Sequence, residues 1–227
     1  MPDDIEEIIK ENENIKNLQE REPKYVMPKL TNKNTNQMDK QINTVNNNEK
    51  KENIVTESMD VTQGKLVLGL DIKLENDKQK YDALLYNSIL GGTANSKMFQ
   101  NVREKAHLAY VASSSYIRQK SNIFINCGIE ISNYEKTLEI VKKQIEDMKN
   151  GDFTDEDIEN AKKGIISTID LIDDEQDTGI TYYFGQELSN NKISPEEYKE
   201  IVQKVQKDDI IKIANSVSIN TIYFLRD

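Results

Sequence analysis

The sequence predicts an α+β fold, a sandwich in which a mostly antiparallel sheet is covered by helices. Three observations predict it. Apolar segments of period two occur early in the folded part and again at the C-terminus, and segments of helical period fill the stretch between. A polar two-residue turn at Lys120 and Ser121 joins two of the strand candidates. Strands early, paired helices in the middle and a strand last describe layers of helix on sheet.

The elements follow in chain order. Residues 3–20 predict a helix, with Ile5, Ile8, Ile9, Ile15 and Leu18 at helical spacing and acidic residues in the first turn, until Pro23 and Pro28 break the pattern. Residues 1–30 are thus expected to be a helical tail, the end of a domain lying upstream. Residues 31–53 form an asparagine-rich linker whose only large apolar side chains are Met38, Ile42 and Val45, too few to offset the entropy of ordering it. The folded part is expected over 54–227.

It opens with a strand in which Leu66, Leu68, Leu70 and Ile72 share one face. Val67 and Gly69 make the middle of the other face largely apolar too, which predicts a sheet covered by other elements. Residues 78–90 predict a helix stopped by Gly91-Gly92, whose expected task is the left-handed turn before a second helix over 96–105. The hairpin candidates run from Leu108 to Gln119 and from Asn122 to Ile131. A helix over 134–149 ends at Gly151, and Thr154 with Asp157 reads as a capping box opening a long helix with Ile158, Ala161, Ile165, Ile169 and Ile172 on one stripe. Ser194-Pro195-Glu196-Glu197 opens another. A helix near residues 208–217 and a strand near 221–225 close the chain.

Composition excludes several classes of function. The formal net charge of -10 repels phosphate backbones and anionic lipid surfaces, and no basic stripe is interleaved with aromatic residues. Neither nucleic acid nor membrane is an expected partner. No apolar run approaches the ~20 residues that span a bilayer, and the N-terminus is acidic where a secretory signal is basic then apolar, so a soluble, cytoplasmic protein is expected. The single cysteine, Cys127, excludes an intrachain disulfide and a cysteine-built zinc site, and its apolar neighbours predict a buried strand position. Gly91-Gly92 followed by Ser96-Lys97 lacks the spacing of a phosphate loop. A hydrolase built on Ser113 to Ser115, Cys127 and His107 has no nucleophile elbow to support it.

The most informative stretch is GGTANSKMFQNVREKAHLAY, from Gly91 to Tyr110. With VTQGKLVLG before it and GDFTDEDIENAKKGI after it, it resembles the C-terminal half-domain of the insulinase-like (pitrilysin, M16) metallopeptidases, closest to bacterial members that lack the zinc motif. The resemblance implies the M16-type (LuxS/MPP-like) sandwich over 54–227. It implies that Arg103 and Tyr110 are substrate-binding residues that donate hydrogen bonds beside the scissile carbonyl. A zinc peptidase needs about three protein ligands and a carboxylate base, and with one histidine, His107, the His-x-x-Glu-His motif is absent. No complete catalytic set and no metal site are therefore expected in this chain.

The function implied is the non-catalytic, substrate-binding half of a zinc peptidase, with zinc on a partner that is either a zinc-bearing M16 paralogue or an upstream half-domain. Its substrate would be a peptide or unfolded protein added to an exposed sheet edge, for which the strand near 122–130 is the candidate. His107 stands where the resembling proteins carry a small residue, and is expected to face solvent. Two alternatives stay open. Arg103 and Tyr110 are also accounted for by a surface ion pair with Glu104 and by filling of a sheet face, and the chain by a structural or assembly subunit with no peptidase role.

Overall fold

The structure, a computed structural model, describes residues 52–189 and 192–227. All of them belong to the second of the two units into which the chain divides, Asp39–Asp227. The helix expected over 3–20, and the linker expected over 31–53 apart from Glu52 and Asn53, lie outside the described residues.

Among the described residues five strands form one mixed sheet: β1 (Asn53–Ser58), β2 (Gly64–Ile72), β3 (Ala109–Ile117), β4 (Asn122–Ile129) and β5 (Val217–Arg226), in the order β1-β5-β2-β4-β3. Only the β1–β5 pair is parallel; the others are antiparallel. The mostly antiparallel α+β sandwich expected from the sequence is therefore present. Leu66, Leu68, Leu70 and Ile72 of β2 are buried, as are Ile123, Ile125, Cys127 and Ile129 of β4. Their alternates are half-buried or exposed, Phe124 among them. Among the described residues the sheet is thus covered fully on one face only, contrary to the expectation from Val67 and Gly69. An antiparallel sheet tolerates one wet face because its core needs only every second side chain.

The helices are α1 (Gln79–Asn87), α2 (Tyr134–Lys149), α3 (Asp155–Asp174), α4 (Gln176–Ser189), α5 (Pro195–Lys204) and α6 (Lys207–Ser216). Both expected capping boxes are made. Thr154 Oγ1 accepts from Asp157 N–H at 3.1 Å while Asp157 Oδ2 accepts from Thr154 N–H at 2.8 Å, and Ser194 and Glu197 repeat the exchange at 3.1 and 2.8 Å. Gly151 ends α2 at φ 75°. Neither β1 nor α4 is foreseen by the sequence pattern.

Two expectations are corrected. Strand β4 is not an edge: it lies between β2 and β3, so the open edge of the hairpin is β3. Nor do Gly91 and Gly92 make a left-handed turn, since among the described residues the positive-φ ones are His107, Ser121 and Gly151. They end a π-helical turn, π1 (Ser88–Gly92), that prolongs α1. Gly91 is required by close approach, because a Cβ there would stand 2.6 Å from the backbone nitrogen of Ser114 in β3. Ser114 Oγ in turn donates to Asn87 Oδ1 at 2.8 Å, tying β3 to the end of α1.

Candidate functional site

The helix expected over 96–105 is present, and most of it is a second π-helix, π2 (Phe99–Lys105). π-helical turns are rare and concentrate at functional sites. Val102 is the buried anchor of π2, which leaves Arg103, Glu104 and Lys105 exposed. The chain then reverses within three residues. His107 takes a left-handed conformation at φ 54°, and Leu108 N–H donates back to the Val102 carbonyl at 3.1 Å, closing the helix end before β3 begins. Small residues suit that backbone best, and His belongs to the minority of side chains that visit it.

Strand β3 does not start regularly. Ala109 pairs with Ile129 and Val111 with Gly128, so Tyr110 is the extra residue of a β-bulge. Alternation would place Tyr110 and Val111 on opposite faces; the bulge leaves both exposed, Tyr110 at 65%. Bulges re-aim side chains and gather next to binding sites. Here the consequence is that Tyr110 lines one solvent-open cleft of about 300 Å³ together with Arg103, Glu104 and His107. Glu130 and Asn133, from the segment following β4, complete its wall.

Both site residues named from the sequence therefore line the same cleft. Arg103 Nε stands 3.5 Å from Glu104 Oε1, and its guanidinium lies 4.8 Å from the Phe99 ring centroid. His107 faces solvent at the same cleft. Glu130 and Asn133 carried no sequence signal, since they join the cleft only through the β3–β4 register. Cys127 is 2% exposed, and burial pushes its thiol up to about 12, the opposite of a reactive thiolate. Among the described residues no group of three His, Cys, Asp or Glu side chains gathers as metal ligands, and no helix is long and apolar enough to cross a membrane.

Fold and cleft define an α+β domain with a solvent-open cleft where a π-helix feeds an edge strand. A family model described as Peptidase M16 inactive domain matches residues 2–165, well over half of the chain. The chain belongs to the M16 peptidase family, as an inactive domain of the C-terminal type. It is 35% identical over 178 residues to the probable inactive metalloprotease YmfF of Bacillus subtilis strain 168, covering 76% of this chain and 41% of that protein. It is 24% identical over 172 residues to the uncharacterized zinc protease YmxG of the same strain, covering 74% and 39%. The chain thus spans about two fifths of the length of these relatives.

Among solved structures, a conserved protein from Enterococcus faecalis V583 superposes with a TM-score of 0.70 at 27% identity, over 76% of this chain and 41% of that one. The peptidase M16 inactive domain from Pseudomonas fluorescens shares the fold with a TM-score of 0.64 at 18% identity, over 76% and 43%.

Proposed function

We propose that this chain is the non-catalytic, substrate-binding half of an M16-type zinc peptidase, supplying Arg103 and Tyr110 to a zinc site on another domain or chain. The observation that carries this reading is the meeting of Arg103, from π2, and Tyr110, from the bulge of β3, at one open cleft. A guanidinium fork and a phenolic hydroxyl both donate hydrogen bonds to an oxygen on which negative charge develops as a peptide carbonyl is attacked. The zinc, on a paralogue or an upstream half-domain, would polarise that carbonyl and activate the water.

The substrate is a peptide or partly unfolded protein. Its extended backbone has a natural place along β3, which carries no outer strand partner among the described residues. The names of the relatives, a probable inactive metalloprotease and a zinc protease, support a peptidase context. The compartment proposed is the cytoplasm.

The Arg103–Glu104 pair and the packing of Arg103 on Phe99 favour a second reading, a structural or assembly subunit with no peptidase role. The two are separated by measuring peptide cleavage with zinc present for this chain, a zinc-bearing M16 paralogue and their mixture, beside the Arg103→Ala/Tyr110→Phe variant. Turnover confined to the mixture and reduced about 100-fold or more by the variant is expected, the scale of losing donors to a developing oxyanion. A complex that forms yet never cleaves, or cleaves equally with the variant, leaves the structural role.

A further inference from the structure

Away from the Arg103–Tyr110 cleft, the helical layer holds two adjoining cavities that the proposed function does not use. The larger, about 490 Å³, lies between α1, α3, α4 and α5, with Leu84, Ile165, Ile169 and Ile172 among its walls. Its volume falls within the roughly 300–1,000 Å³ of small-molecule sites. The smaller, about 220 Å³, contains Lys80, Arg118 and Gln119. The two share Thr181, Tyr182 and Tyr198, so a solvent-open apolar chamber adjoins a cationic pocket.

Arg118 is held against two aromatic rings. Its guanidinium stacks 4.6 Å from the Tyr81 ring centroid and 5.4 Å from that of Tyr198, which fixes the plane of the fork. Its Nη2 atom is fully buried and a side-chain hydrogen bond joins the guanidinium to Tyr198, so Arg118 meets the smaller cavity through its other atoms. A carboxylate in that cavity meets the positive charge of Arg118 and Lys80, which an apolar groove alone does not offer. The nearby Asp77 pairs with Lys80, interacts more weakly with the Arg118 charge, and is fully exposed. Asp177 lines the apolar chamber but not the cationic pocket, so an anionic head is repelled from the chamber and drawn to Arg118.

We propose that these cavities form one binding site for a small amphipathic carboxylate, its apolar chain in the chamber between α3 and α4 and its carboxylate on Arg118. The site is independent of the peptide cleft. The test is calorimetric titration of the full chain with decanoate and with decanol, for the native sequence, Arg118→Met and Thr181→Trp, each checked for folding by circular dichroism. Saturable one-to-one binding of decanoate is expected, weakened about tenfold or more by Arg118→Met and about tenfold or more in decanol, as loss of a charged hydrogen bond requires. Thr181→Trp, at an exposed helix position where the cavities meet, is expected to block binding. Absence of saturable decanoate binding, equal affinity for decanol, or decanoate binding unchanged by Arg118→Met overturns the proposal. If Arg118→Met does not fold, Thr181→Trp decides alone, and undiminished binding in it overturns the proposal.

Discussion

Asp82 is only 4% exposed in α1, and its Oδ1 has no hydrogen-bond partner among the described residues. Burial, and then the charge of Asp209 across the α1–α6 contact, raise its carboxyl to about 6, against the smaller opposing pull of Lys78 and Lys212. Below the ordinary value of 3.8 the folded and unfolded chains both keep the proton. Between there and about 6 the unfolded chain has released it while the folded chain still holds it, so stability falls as pH rises through that window. Asp82→Asn removes this loss. Urea denaturation is expected to show the variant more stable than the native chain at pH 7 by up to about 3 kcal/mol, and nearly equal to it near pH 4. A variant less stable at neutral pH would mean that the ionised carboxylate is held by favourable contacts. Residue by residue, the stretch that carries Arg103 and Tyr110 was legible as a family motif because its spacing is local and distinctive. The bulge that turns Tyr110 into the cleft was not, because it is a mismatch between two strands and neither strand encodes it alone.

Among the elements, those with a local stop or start signal were legible. Helices α3 and α5 open at capping boxes that the sequence spells out, and their caps satisfy backbone donors that the first helical turn leaves unpaired. Thr154→Ala is expected to cost about 1 kcal/mol, measured as a lowered midpoint in thermal or urea unfolding. No change in midpoint would show that water satisfies the freed donors as well. Helix α4 escaped notice for a reason visible in its side chains. Ile180, Tyr183, Phe184 and Leu188 are exposed, while Tyr182 and Gln186 turn inward, so apolar residues lie around the helix and no clean stripe of period 3.6 emerges. Strand β1 escaped because its burial is slight and its partner, β5, lies at the far end of the chain. Gly91 was noticed for the wrong reason: a glycine pair suggests a turn, whereas the need here is for two backbones to touch.

Across the molecule, the last strand is an interior one. β5 runs between β1 and β2, with pairs extending from Lys65 opposite Leu225 to Ile72 opposite Val217. Folding must therefore bring together segments about 150 residues apart before the sheet is complete, a non-local step that slows folding. A chain ending at Ser216 is expected to lose the cooperative thermal transition seen in the full chain, because β1 loses its strand partner and β2 one of its two. A retained sharp transition by circular dichroism would show that the remaining strands close without it. Local chemistry settled the class of fold, the helix starts, the hairpin, the buried cysteine and the family motif, since periodicity, capping and turn preference act over a few residues. Strand order, the edge at β3, the bulge at Tyr110 and the cavity beside Arg118 were decided only by tertiary structure. They depend on which distant segments share a surface, and that is a property of packing that no short window of residues contains.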